Sequence, residues 1–178
     1  ELSEAALAKT APDLWHWRNA RFDFEREGSF LGDFRAHPSE RIAWFQQIRA
    51  ASNRLGDKKG EIKDLIGLGT ARWETGDARG AIQNYWAALK IAREMGDRKA
   101  EGNALGNLGL AYRTLGDARK GIEFHEQALA IAREMGDHGS ESIDLGNLGN
   151  AYADLGDIRR AIELHEQALI LKREFGDR

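Results

Sequence analysis

The chain contains no cysteine, which excludes disulfides and thiolate metal sites and agrees with a reducing, cytoplasmic setting. No apolar run approaches the ~20 residues a membrane-spanning helix needs, and no signal peptide is visible. Charge of one sign is also lacking. Lys and Arg number 26 against 29 Asp and Glu, a net charge of −3 with the signs intermixed, unlike the one-sided basic surface of a nucleic-acid binder. No window shows the period-two alternation of a half-buried strand. What is left is a helical chain with enough apolar residues, 42%, to build a core.

What the chain has is repetition. Gly-Asp recurs at Gly56, Gly76, Gly96, Gly116, Gly136, Gly156 and Gly176. The stretch from Asp97 to Gly136 returns nearly intact from Asp137 to Gly176, and a looser copy precedes it from Asp57 to Gly96. A fixed period of this size marks a stacked-repeat architecture. Within the last copy, Leu145, Leu148, Ala151, Tyr152 and Leu155 share one helical face. Ile158, Ala161, Ile162, His165, Ala168, Leu169 and Leu171 share another. Gly can close one helix in the left-handed conformation while the following Asp caps the next. The sequence therefore predicts an all-α solenoid of antiparallel helix pairs, each pair burying its apolar seam against its neighbours.

The expected organisation is the tail of a preceding helix over 1–11, a degenerate helix pair with an enlarged loop over 12–56, and regular pairs over 57–96, 97–136 and 137–178, the last including the start of a further repeat. The degenerate pair has Trp17, Ala20 and Phe24 on one helical face, followed by Gly28. The chain has no initial Met and stops as another repeat would begin, so it reads as a piece of a longer protein. All five tryptophans, Trp15, Trp17, Trp44, Trp73 and Trp86, lie in its first half. There they are expected mainly to fill the irregular pair, with Trp15 or Trp44 the candidates for a docking surface.

Leu145, Leu148-Gly149 and Tyr152, followed by Ala161, His165 and Ala168, resemble the tetratricopeptide repeat. Leu105, Leu108-Gly109, Tyr112, Gly121, His125 and Ala128 repeat the resemblance. Arg72 departs from it where Tyr is expected. The 40-residue period resembles the longer repeats of Pins-type scaffolds and of the arms of prokaryotic STAND signalling ATPases. The resemblance implies a right-handed superhelical solenoid with a protein- or peptide-binding groove lined by the first helix of each pair. It places Asn103, Asn107, Leu110 and Arg113, with Thr114, on that face. Asn147, Asn150 and Asp154, with Ile143, continue it, and Lys63, Thr70, Trp73 and Glu74 extend it at the other end. Asn107 and Asn147 fall where peptide-binding members of the family carry an Asn that grips the ligand backbone. An amide both donates and accepts, so it can bracket a peptide bond whatever side chain follows.

No catalytic, metal or cofactor site is expected. His125 and His165 occupy the position of Phe45 and Tyr85, a packing position, and Leu129 stands where a zinc motif would need a second His. Gly67-Leu68-Gly69 lies within a helix with no strand before it, so it is not a phosphate loop. The expected function is a non-catalytic protein-interaction module. The alternatives are the ligand-sensing arm of a STAND-type ATPase and a structural spacer or self-assembling repeat array, with self-association through exposed end repeats among the expected contacts.

Overall fold

A computed structural model describes residues 38–175, with the side chains of Pro38, Glu40 and Ala51 excepted. The expectations for 1–37, including Trp15, Trp17, Phe24 and most of the enlarged loop, lie outside the described residues, as do 176–178. Seven helices follow in order: α1 (Pro38–Leu55), α2 (Lys58–Glu74), α3 (Ala78–Met95), α4 (Arg98–Thr114), α5 (Ala118–Met135), α6 (His138–Asp154) and α7 (Ile158–Phe175). Each packs along the next, and α4 also touches α2 and α6. Among the described residues there is no strand, and no helix long and apolar enough to cross a membrane.

The Gly-Asp step produces this geometry. Gly96 and Gly136 close α3 and α5 at φ +68° and +65°, in the left-handed region where a side chain would be strained. Asp97 N–H then reaches back to the Ala92 carbonyl at 2.9 Å. The side chain of Asp97 accepts from Ala100 N–H at 3.0 Å, and Asp57, Asp77, Asp117, Asp137 and Asp157 cap their helices in the same way. Such a cap is worth about 1 kcal/mol. Helices joined by so few residues fold back on one another as antiparallel neighbours.

The core is a chain of small and large residues in alternation. Leu65, Tyr85, Leu89, Leu105 and Leu108 are almost wholly buried around Ala81, Ala88, Ala104 and Ala111, which let the helices approach. Leu129, Leu145, Leu148, Leu164 and Ala168 form the next cluster. Rings seat on glycines: Tyr85 against Gly69, His125 against Gly109 and His165 against Gly149. This gives the mid-helix glycines a packing reason that offsets their helix cost of about 1 kcal/mol.

The last helix differs from its sequence pattern. Of its apolar positions only Ala161, Leu164 and Ala168 are buried, while Ile158, Ile162 and Leu169 are exposed. Leu129, the counterpart of Leu169 in α5, is covered by α6. No described helix covers α7 on that side.

Candidate functional site

Between α4 and α6 runs an open groove of about 330 Å³. Asn103, Gly106, Asn107 and Leu110 form one wall, and Ser140, Ile143, Asp144 and Asn147 the other. Ala128, Ile131 and Ala132 of α5 lie between the walls, with Met135 at one end and Ile66 of α2 at its edge. Four of the eleven site residues expected from sequence are thereby brought together: Asn103, Asn107, Leu110 and Asn147.

Their chemistry differs. The Asn107 amide nitrogen donates to the Asn103 carbonyl one turn back at 2.9 Å, so its side-chain oxygen is left to accept. Asn147 is half-buried in the wall and hydrogen-bonds to no described residue, leaving it both donor and acceptor. Gly146 beside it faces open space, whereas a side chain at Gly106 would meet the Asp144 carboxylate at 3.3 Å.

The other seven residues do not line this groove. Arg113 pairs with Asp154 at 3.4 Å, and Trp73 Nε1 donates to the Thr114 hydroxyl at 2.9 Å. These are equivalent contacts 41 residues apart in sequence, tying the ends of successive first helices together. Glu74 pairs with Arg41 at 2.6 Å. Thr70 turns inward, donating to the Ile66 carbonyl at 3.0 Å and lying 3.3 Å from the Tyr85 hydroxyl. Burial raises the Tyr85 hydroxyl's pKa above its ordinary value, against the Thr70 hydrogen bond, which lowers it. Lys63 and Asn150 are exposed. Repeated ion pairs, Arg93 to Glu101 and Arg133 to Glu141, each 2.8 Å, link α3 to α4 and α5 to α6.

Sequence reasoning missed Asp144. It is 7% exposed, and burial pushes its carboxyl pKa up, with nearby His125 acting against the shift. Its signal was the interruption of an apolar stripe between Ile143 and Leu145 where the preceding repeat has Ala104. His125, completely buried, has no hydrogen-bond partner on either ring nitrogen. Its Nδ1 lies 3.6 Å from Asp144 Oδ1, too far for a hydrogen bond. Among the described residues no three His, Asp or Glu side chains gather as metal ligands.

Residues 100–174 match the family model of the tetratricopeptide repeat. No curated protein sequence matches the chain. Solved structures share its fold. The TPR domain of Arabidopsis FLU is 23% identical with a TM-score of 0.61, over 64% of this chain and 95% of that one. Aspartyl phosphate phosphatase F from Bacillus subtilis is 17% identical with a TM-score of 0.78, over 98% of this chain and 45% of that one. A STAND protein with a tetratricopeptide repeat sensor from Pyrococcus horikoshii is 16% identical with a TM-score of 0.76, over 97% of this chain and 26% of that one. The tetratricopeptide fold generally mediates protein–protein interaction, and its members are typically non-catalytic scaffolds.

Proposed function

We propose that this chain, a stack of tetratricopeptide-type helix pairs, is a non-catalytic interaction module that holds a peptide segment of its partner in the groove between α4 and α6. One observation carries the reading. Asn147, its amide free of any described partner, faces an open groove across from Asn107, whose carbonyl is also unspent. Together they offer two acceptors and a donor to a peptide backbone, while Leu110, Ile131 and Ile143 offer apolar contact to its side chains. Arg113 and Asp154 neutralise one another beyond the groove, so charge selectivity from that end requires a partner that opens their pair.

The test is selection of random phage-displayed heptapeptides on the immobilised chain. Synthetic winners are then titrated by fluorescence anisotropy. Replacing both Asn107 and Asn147 by Ala should weaken them at least tenfold, because net hydrogen bonds of about 1 kcal/mol each are lost. Unchanged affinity would defeat the reading. A second reading, the sensor arm of a signalling ATPase, is favoured by the likeness to a quarter of the Pyrococcus protein. A phosphate-loop sequence encoded upstream in the same gene would support it, and a gene made only of repeats would count against it.

A further inference from the structure

The helix-facing position held by Asp144 recurs every 40 residues as Asp64, Ala104 and Asp144. The two acids meet different surroundings. Asp64 accepts a hydrogen bond of 2.6 Å from the Ser52 hydroxyl, twelve residues before it. Twelve residues before Asp144 stands Ala132, which has no hydroxyl to offer. No described residue donates a hydrogen bond to Asp144. The residue is 7% exposed and its side chain 10%, and it lines the groove. His125 Nδ1, 3.6 Å away, belongs to a ring sealed from water.

A carboxylate held mostly out of water without a hydrogen-bond donor is costly, and a partner that brings its own cation reduces that cost. The surroundings fit a cation on a long apolar stem. Ile131, Ile143 and Leu110 would lie along methylenes. Gly106 leaves the approach to the carboxylate free of side-chain atoms. Lys99, the groove's own cation, lies near Asp137 at the rim. There it joins the Ser140 hydrogen bonds, the larger effect, in holding the Asp137 carboxyl pKa below its ordinary value.

We propose that the groove reads a lysine or arginine side chain of the bound peptide, its cation paired with Asp144 and its stem laid along Ile131 and Ile143. This rests on the reading of the groove as a peptide site, and it names the residue that site selects.

The same heptapeptide selection tests it. Winners should carry Lys or Arg at one fixed place. Changing that residue to norleucine keeps the stem and removes the charge. Affinity for the wild-type chain should then fall roughly 10- to 100-fold, the range for a charge-assisted hydrogen bond. Against Asp144→Asn, the lysine and norleucine peptides should bind alike. Asp144→Ala, which copies Ala104, provides a second folded variant, checked by circular dichroism, and should behave the same way. Winners with no basic preference, or equal affinity of the two peptides for wild type, would overturn the basic occupant while leaving the groove a peptide site. No winners at all, or winners indifferent to the double Asn variant, would overturn the site and this proposal with it.

Discussion

Two identical substitutions, Gly109→Ala and Gly146→Ala, should move stability in opposite directions. Both glycines lie inside helices, α4 and α6, where Ala is favoured over Gly by about 1 kcal/mol. At Gly146 an added Cβ meets nothing within 4 Å, so most of that gain should be realised. At Gly109 the same atom would lie 2.7 to 2.8 Å from three atoms of the His125 ring, closer than carbon atoms tolerate. The ring is wholly buried. Overpacking of this kind costs about 1–3 kcal/mol. Against the helix gain, the net for Gly109→Ala is a loss of up to about 2 kcal/mol. Urea unfolding followed by circular dichroism should therefore place the two midpoints on either side of the wild type. In a His125→Ala background the obstruction is gone, and Gly109→Ala should become stabilising. Two results would refute the reasoning: a Gly109→Ala protein at least as stable as wild type, or the same loss in both backgrounds.

Asp117→Ala should cost about 1 kcal/mol, because it removes the acceptor 3.2 Å from the Lys120 N–H at the start of α5; an unmoved urea midpoint would contradict it. Asp144→Asn should change how stability depends on pH. Burial raises the folded carboxyl's pKa above its unfolded value. Its contribution to stability is therefore full below the ordinary carboxylate range and is lost as pH rises through the raised value. Asparagine has no such dependence. The variant should gain on wild type in thermal melts as pH rises above the ordinary carboxylate range, and a difference independent of pH would contradict the assignment.

Much of the fold is written in local chemistry that a sequence displays directly. Asp97 caps and Gly96 terminates whatever lies around them, so helix ends every 20 residues could be placed from those two residue types. The seating of His125 was legible because Phe45 and Tyr85 hold the same place in earlier repeats. The site was less legible, because the family resemblance identifies a helix face and not the partners each side chain finds there. Arg113 and Asp154 are expected on the face of Asn107, yet they satisfy one another across adjacent repeats. Thr70 is drawn inward by the Ile66 carbonyl and lies near the Tyr85 hydroxyl. Asp144 escaped notice for the reverse reason. Its importance comes from an absence elsewhere, the missing hydroxyl at Ala132, and no pattern around residue 144 records that.

The junctions between helices alternate between two residues, as in Gly96-Asp97, and three, as in Leu115-Gly116-Asp117. Both residues of the shorter junction are committed, one to ending a helix and one to beginning the next. Such a joint has no slack. One residue inserted within a helix would turn everything beyond it by about 100° and carry a ring such as His125 away from its glycine. Length change in this architecture is therefore quantised. A descendant gene can add or delete a whole 40-residue pair and keep every contact in register, but it cannot drift by one residue at a time. Each addition lengthens the row of first helices by a complete wall with its own set of side chains. Specificity in such a protein can then evolve as text does, by copying a line and editing the copy.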